Sequence, residues 1–292
     1  MRGRPSQTAE AVCLMRASDQ RRPPAGRIVD DPYARWFLGP MSRATLASWE
    51  ASGRWGRLAE RLSPGLTAWV LTRHRYIDDC LVRALEGDVD QVVLLGAGYD
   101  TRAYRFARQL GGRPVFEVDF PATSRRKARI VARHAGELPR TTVRIVEIDF
   151  QSQSLRERLL ASGFRENTRN FFIWEGVSMY LTREAVKATL RTVYELSAVG
   201  SEIAMDFWYL IDQPDMVSTA YRLSPNLLSF IGEPITFGIH PEDVGPFLER
   251  LGLHPLEVAD AKALEERYVR DGRHVSPGVY LVHAGANRAT TR

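Results

Sequence analysis

The chain has 292 residues, of which 44% are hydrophobic and 26% charged, so it can bury a full core and is neither disordered nor fibrous. The formal net charge of +5 would permit nucleic-acid binding, but the basic residues are spread along the whole chain. No apolar run approaches the roughly 18 residues of a membrane span, and the N-terminal sequence lacks the apolar centre of a secretory signal. We therefore expect a soluble, cytoplasmic protein.

Cysteine, histidine and basic residues show no pattern typical of a metal or nucleic-acid site. Cys13 and Cys80 lack any metal-ligand spacing, and we expect both to be buried thiols. The six histidines are scattered, so no metal site is predicted. The densest basic cluster, between Arg125 and Arg133, falls at helical spacing and indicates a solvated helix face. We expect neither a nucleic-acid nor a membrane partner, and oligomeric state cannot be inferred.

Residues 1–90 predict a helical N-terminal extension. A Ser/Thr start followed by apolar residues at helical spacing predicts an amphipathic helix over residues 6–16. An irregular stretch follows and contains Asp31 to Phe37. A second helix is predicted from Pro64 to Glu86, and Gly87 ends it, as glycine often does. Its buried side is expected to consist of Trp69, Leu71, Ile77, Cys80, Leu81 and Leu85.

From Gln91 onward, strands alternate with helices, which predicts a doubly wound α/β domain over residues 91–292. Gln91 to Leu95 is a short apolar run, typical of a parallel strand buried on both faces. Further strands are predicted at 114–119, 142–149, 170–175, 201–208, 253–259 and 278–284. Helices are predicted at 101–110, 122–135, 152–162, 183–198, 241–251 and 261–267.

Residues 209–239 fit neither the strand nor the helix pattern, and we expect them to form a cap inserted over the site. The segment contains several prolines and mixes aromatic with aliphatic residues. These aromatic residues favour an apolar or aromatic substrate, and the alternative is that they belong to the core. With the preceding Trp208, they are Tyr209, Tyr221, Phe230 and Phe237.

Gly96-Ala-Gly98 follows the first strand directly, as in nucleotide-binding turns. A dinucleotide turn usually has a third glycine, where this chain has Thr101. Asp100 would also repel a pyrophosphate, and we expect it to cap the following helix. The turn therefore argues against a nicotinamide cofactor, which stays a remote alternative.

An acidic residue lies at or just after the end of each of the first four strands: Asp100, Asp119, Asp149 and Glu175. Ligands of an open parallel sheet bind beyond the carboxyl ends of its strands. Asp119 lies about 20 residues after Gly98, the separation expected of a ribose-binding carboxylate. Asp149 could accept from an adenine amino group, and Glu175 could pair with a cationic group. Together these acids suit a phosphate-free adenosine ligand that carries positive charge, such as S-adenosylmethionine.

Several ordered motifs resemble the leucine carboxyl methyltransferase family, in particular its bacterial branch of S-adenosylmethionine-dependent O-methyltransferases. These are GAGYDTRAYRF at 96–106, FEVDFP at 116–121, EIDF at 147–150 and WEGVSMYL at 174–181. TAEAVCLMRA, DPYARWF and RHRYID, nearer the N-terminus, also resemble that branch. The resemblance covers about residues 6–210 and implies a class I methyltransferase fold, Rossmann-like, with S-adenosylmethionine as cofactor.

The resemblance also implies roles for individual residues. The cofactor contacts would be Gly96 and Gly98 in the turn, Asp119 on the ribose, Asp149 and Phe150 on the adenine, Glu175 on the α-ammonium and Arg73 on the carboxylate. Arg75 is a near alternative to Arg73. Tyr180 of the EGVSMY motif and Arg16 would face the methyl acceptor as catalytic residues.

The resemblance implies methyl transfer to a small-molecule oxygen, in some branch members as part of polyketide or other secondary metabolism. A carboxylate is ionised at neutral pH and needs only orienting donors, which Arg16, Arg73 or Arg75, and Tyr180 could supply. A phenol, with a pKa near 10, would need a base, for which His240 or His274 would be candidates. We therefore expect a carboxylate acceptor, with a phenol or hydroxyl as the alternative. A binding protein without turnover is a further alternative.

Overall fold

A computed structural model describes residues 6–52, 65–150, 152–209 and 235–286 of the chain. The N-terminal part is helical, as predicted. Helix α1 spans Gln7–Asp19, α2 spans Pro40–Ser52 and α3 spans Leu66–Glu86, with short 3-10 turns at Pro24–Gly26 and Ala34–Phe37. The side chain of Ser6 accepts a hydrogen bond from the amide of Ala9 at 3.1 Å and so caps α1.

The strands and helices of the second part alternate in the predicted order. The strands are β1 Gln91–Leu95, β2 Val115–Asp119, β3 Val143–Glu147, β4 Asn170–Trp174, β5 Glu202–Trp208, β6 Leu253–Asp260 and β7 Val279–Ala286. The helices are α4 Arg102–Arg105, α5 Ala107–Leu110, α6 Pro121–Arg133, α7 Leu155–Ala161, α8 Arg183–Leu196, α9 Pro241–Glu249 and α10 Ala261–Tyr268, with a 3-10 turn at Ser178–Tyr180.

The seven strands form one sheet in the order β3-β2-β1-β4-β5-β7-β6. Strands β1 to β5 are parallel, whereas β7 runs antiparallel to both β5 and β6. The strand order reverses between β1 and β4, because β2 and β3 lie on one side of β1 and β4 and β5 on the other. The carboxyl ends of β1 and β4 therefore flank the switch point at which open α/β sheets bind ligands.

Helices cover both faces of the sheet, which explains why its central strands are continuously apolar. On one face, strand residues such as Phe116 and Phe172 join the core formed with α7, α8 and α9. On the other face, Val92 and Phe171 join a core that includes Trp69 of α3. The predicted extension thus shares a core with the sheet. The division of the chain into domains at residue 90 stays a prediction.

Most predicted elements are confirmed to within a few residues, and two interpretations need correction. The single helix predicted at 101–110 is two short helices, because Phe106 interrupts the helical geometry. The basic cluster of α6 is not a uniformly solvated face. Lys127 is buried and its Nζ lies 2.8 Å from Oε1 of Glu117, while Arg125 on the exposed side pairs with Glu147.

Both cysteines are buried free thiols, as predicted. The six residues expected on the inner side of α3 are also buried. Most of the predicted cap lies outside the described residues, which resume at residue 235. There, the amides of Thr236 and Phe237 donate to the carbonyl oxygen of Met179. No helix among the described ranges is long and apolar enough to cross a membrane.

Candidate active site

The turn after β1 requires both of its glycines. Gly96 and Gly98 have φ of +74° and +46°, in the left-handed region that side chains disfavour. A Cβ at Gly96 would also lie within 3.0 Å of the Cγ2 of Val177, and one at Gly98 would lie 3.2 Å from the Cβ of Ala9. The turn is therefore enclosed between α1 and the segment that follows β4.

Asp119 at the end of β2 is held by backbone donors. Its carboxylate accepts hydrogen bonds from the amide of Gly98 and, at 2.6 Å, from the amide of Phe120. Asp149 follows the neighbouring strand β3, and the amide of Ile148 donates to the carbonyl oxygen of Asp119 at 3.0 Å. The two acids thus lie at adjacent strand ends, the arrangement that a ribose and an adenine would need.

Glu175, directly after β4, is surrounded by hydrogen-bond donors from two arginines and a histidine. Its carboxylate accepts from Nε of Arg73 at 3.1 Å and from Nη1 of Arg102 at 2.8 Å, and it lies 3.1 Å from Nδ1 of His74. Burial raises the pKa of Glu175, but the N–H donated by His74 and the charges of Arg102 and Arg73 outweigh that effect and hold this pKa well below its ordinary value. Glu175 is therefore a carboxylate at neutral pH.

His74 contacts charged groups through both ring nitrogens. Its Nε2 lies 2.8 Å from Nη2 of Arg105 and 3.3 Å from Nη1 of Arg16, which can only donate. Nδ1 lies 3.1 Å from Glu175 and 2.9 Å from Nη2 of Arg102. We place the ring proton on Nδ1, where it can donate to Glu175 and leaves the lone pair of Nε2 to accept from Arg105 and Arg16. Burial and the charge of Arg102 lower the pKa of His74, so the ring is neutral. A neutral ring with both nitrogens engaged orients its neighbours and does not act as a free base.

Asp78 fixes the two arginines that follow the turn. It accepts from Nε of Arg102 at 2.6 Å and from Nη1 of Arg105 at 2.7 Å. Burial raises the pKa of Asp78, but Arg105 and Arg102 together bring it below its ordinary value. The N-cap residue of α4 is Thr101, not Asp100, so the expected capping position was wrong by one residue. Asp100 accepts from the amide of Arg102 at 2.6 Å and also forms an ion pair with Nη1 of Arg102.

These contacts join into one network, called here the ion cluster. Its members are Arg16, Asp31, Arg73, His74, Asp78, Asp100, Arg102, Arg105, Glu175 and Asp206. With a neutral His74, four guanidinium groups face five carboxylates, which leaves one negative charge in excess. An uncompensated buried charge is unfavourable, so the cluster favours a ligand with net positive charge.

The ion cluster distinguishes between the two candidate arginines of α3. Arg73 lies inside it, whereas the side chain of Arg75 is 46% exposed and pairs with Asp79 at 2.8 Å. Arg75 therefore points away from the candidate site. Arg16 is in the cluster but buried, paired with Asp31 at 2.9 Å and donating to the carbonyl oxygen of Tyr99 at 2.8 Å. Its role toward a methyl acceptor stays a prediction.

Tyr180 and the two candidate histidine bases lie in different surroundings. Tyr180 ends a 3-10 turn just beyond Glu175 and is half-buried. Its contact with the methyl acceptor stays a prediction. The side chain of His274 is 85% exposed and pairs with Glu265. His240 precedes α9, and its ring centroid lies 5.5 Å from that of Tyr209.

The sequence patterns do not single out His74, Asp78, Arg102 and Asp206. A signal was present for two of them. His74 and Asp78 are four residues apart and share the apolar side of α3 with Ile77, where unpaired polar groups are unfavourable. Polar side chains on that side therefore indicate partners inside the fold.

His74, Asp100 and Glu175 each offer one atom that could bind a metal ion, and these three atoms lie within 4.8 Å of one another. Nη1 of Arg102, however, donates to both carboxylates. The guanidinium group thus supplies the positive charge that a metal ion would bring. We therefore assign these residues to the ion cluster.

The strand order, the glycine turn after β1 and the acids at successive strand ends define a class I methyltransferase fold. Two solved structures support this class. A putative methyltransferase from Thermobifida fusca has a TM-score of 0.56 at 17% identity, covering 98% of this chain and 96% of its own. A DUF574 family protein from Streptomyces avermitilis has a TM-score of 0.55 at 16% identity, covering 92% and 99%.

The chain belongs to the leucine carboxyl methyltransferase family, whose sequence model matches residues 9–194. It is 37% identical over 201 residues to a "Putative S-adenosyl-L-methionine-dependent methyltransferase" of Parafrankia sp. (strain EAN1pec), covering 68% of this chain. A protein of the same description from Frankia alni is 34% identical, covering 76% of this chain and 74% of the relative. The family and the fold identify S-adenosylmethionine as the cofactor.

The alignments cover only part of several relatives. The chain spans 62% of the length of the Parafrankia relative, 66% of one from Saccharopolyspora erythraea and 64% of one from Rhodococcus jostii.

Proposed function

We propose that the protein is an S-adenosylmethionine-dependent O-methyltransferase that forms methyl esters on a small-molecule carboxylic acid. The observation that carries this proposal is Glu175, held ionised inside a cluster with one excess negative charge, next to the glycine turn. S-adenosylmethionine carries a sulfonium, an ammonium and a carboxylate, so its net charge is the +1 that the cluster would balance. We place it in the biosynthesis of polyketides or other secondary metabolites.

The described residues suit the parts of the cofactor in turn. Asp119 would accept from the ribose hydroxyls, Asp149 and Phe150 would contact the adenine, and Glu175 would accept from the α-ammonium. Nη1 of Arg73 donates to Asp206 and Nε to Glu175, which leaves Nη2 to donate to the cofactor carboxylate. When bound, the cofactor supplies an electrophilic methyl group on a positively charged sulfur.

In-line displacement at that methyl group demands a positioned acceptor oxygen, and good positioning can supply roughly 7 to 11 kcal/mol of the barrier. A carboxylate needs no base, because it is already ionised at neutral pH. This fits a site whose histidine, His74, is neutral and engaged through both ring nitrogens. Tyr180 and Arg16 are our candidates for donors to the acceptor.

A small-molecule acceptor, without nucleic-acid or membrane partners, also fits the basic residues of α6. Lys127 is buried against Glu117, and Arg125 and Arg126 are paired with Glu147 and Glu10. Few of these charges are therefore available to phosphates. A cytoplasmic location is part of the proposal, since two buried free thiols suit a reducing compartment.

The test uses isotope-labelled S-adenosylmethionine and a panel of free carboxylic acids and phenols, with products read by mass spectrometry. We expect labelled products from acids, and mild alkali should release their label because methyl esters hydrolyse and methyl ethers do not. Alkali-stable products from phenols would contradict the carboxylate assignment. Calorimetry with S-adenosylhomocysteine and NAD first establishes cofactor choice, and binding of NAD alone would overturn the whole proposal.

A further inference from the structure

Asp206 is a buried carboxylate near the end of β5 that lies in none of the sequence motifs. Its side chain is 0% exposed. Oδ2 accepts from Nη1 of Arg73 at 3.1 Å, and Oδ1 accepts from the amide of Gly176 at 2.6 Å. One side chain thus holds both the arginine from α3 and the backbone that directly follows Glu175.

The guanidinium group of Arg73 lies close to the backbone of Gly176, where a side chain would be crowded. Gly176 has φ of +69°, and a Cβ there would lie 3.2 Å from Nη2 and 3.3 Å from Nη1 of Arg73. Glu175 and Asp206 hold the guanidinium from two directions through Nε and Nη1. Arg73 thus uses Nε and Nη1 within the described part of the chain, and we assign Nη2 to the ligand.

We infer that Asp206 is a positioning residue for the methionine end of the cofactor, acting through Arg73 and the Gly176 amide. The inference rests on the proposed function, because it assumes that Arg73 binds the carboxylate of S-adenosylmethionine. Asp206 touches neither cofactor nor acceptor in this role. It fixes the direction of Nη2 and keeps Glu175 beside it.

The variant Asp206→Asn changes the hydrogen-bonding groups of residue 206 but not its volume, since asparagine has almost the same shape as aspartate. Its effects therefore do not come from a cavity. Its amide oxygen can still accept from Gly176, but its NH₂ group then faces Nη1 of Arg73, donor against donor. The arginine should turn away. Affinity for the methionine end should fall while the adenosine subsite, built on Asp119 and the β1 turn, keeps its contacts.

The experiment compares two ligands by calorimetry on the full chain. S-adenosylhomocysteine has the amino-acid end, whereas 5′-methylthioadenosine keeps the adenosine and the thioether but lacks that end. For Asp206→Asn we expect about a tenfold or greater loss of affinity for S-adenosylhomocysteine and less than a twofold change for 5′-methylthioadenosine. The control is Glu202→Gln, which alters a 2.7 Å contact with Nε2 of His283 at the other end of the same strand. It should leave both affinities unchanged.

A double-mutant cycle tests the route through Arg73. In an Arg73→Gln background, Asp206→Asn should have little further effect on S-adenosylhomocysteine binding, because the group through which it acts is gone. Equal losses for both ligands, no loss for either, or additive effects in the cycle would overturn the inference. A wild-type protein that binds neither ligand would instead overturn the proposed function.

Asp206→Ser, which is smaller and leaves room for water, is the second variant if Asp206→Asn does not fold. Near-ultraviolet circular dichroism reports whether each variant is native. Failure of both to fold would show that Asp206 serves stability rather than positioning, and would also overturn the inference.

Discussion

Gly96→Ala tests whether the cofactor turn depends on contact with the segment after Glu175. The alanine would have to adopt φ near the +74° of Gly96, which costs about 1 to 2 kcal/mol for a side-chain-bearing residue. Its Cβ would also lie within 3.0 Å of Cγ2 of Val177, and overpacking of this kind typically costs about 1 to 3 kcal/mol. We therefore expect a loss of about 2 to 5 kcal/mol in the free energy of unfolding.

The two contributions can be separated with Val177→Ala. The Cβ of Val177 is 3.5 Å from the added Cβ, an ordinary contact, so removing its γ-methyl groups should relieve the clash and leave the backbone strain. Alone, Val177→Ala should cost about 1 to 2 kcal/mol for two half-buried methyl groups. The double variant should be more stable than the sum of the single losses predicts, by about 1 to 3 kcal/mol.

Urea unfolding at 25 °C, followed by circular dichroism and tryptophan fluorescence, gives the four free energies of the cycle. If the losses in free energy of unfolding were additive, the steric argument would be refuted, because the side chain of Val177 would then not clash with the added Cβ at residue 96. A loss below about 1 kcal/mol for Gly96→Ala would refute the strain argument as well.

Three further predictions concern the ion cluster and the thiols. Glu175→Gln should weaken S-adenosylhomocysteine binding about tenfold to a hundredfold in calorimetry, because a charge-assisted hydrogen bond is lost; an unchanged affinity would remove Glu175 from the site. Burial raises the pKa of Cys13 to about 11 and that of Cys80 to about 12, so a disulfide reagent at pH 8 should label no thiol in the native protein and both after denaturation; rapid native labelling would contradict this. Because the pKa of His74 is lowered on folding, the unfolded chain binds the extra proton first. The free energy of unfolding should therefore fall as the pH drops below about 6.5, by at most about 1.4 kcal/mol per pH unit from this group. His74→Gln should reduce that slope in urea midpoints measured between pH 7 and pH 5, and an identical slope would disprove the contribution.

The order of elements was predictable because their signals are local. Gln91–Leu95 is an apolar run bounded by polar residues and a Gly-Ala-Gly turn, and the strand has those bounds. Strand ends with acids, such as Asp119 and Glu175, could likewise be placed at one edge of the sheet, since parallel strands share a direction. The edge strand β3 was harder to delimit, because only one of its five residues is fully buried.

The ion cluster was not predictable because its contacts join distant parts of the chain. Arg73 and Glu175 are 102 residues apart, and Arg73 and Asp206 are 133 apart. No spacing rule connects them until the sheet has placed β4 beside β5 and α3 against both. The same limit explains Lys127, whose helical spacing indicated a solvated face. Glu117 on β2 provides the buried partner that makes its position tolerable.

The pairing of buried charges within the ion cluster also constrains how the protein can evolve. Loss of Asp206 would break its buried pair with Arg73, and loss of one partner of such a pair typically costs about 3 to 5 kcal/mol, a large part of the stability of most domains. Substitutions should therefore be accepted in compensating pairs. A relative without an acid at Asp206 should also lack a guanidinium at Arg73, and such linked exchanges would mark branches of the family that recognise the amino-acid end of the cofactor differently.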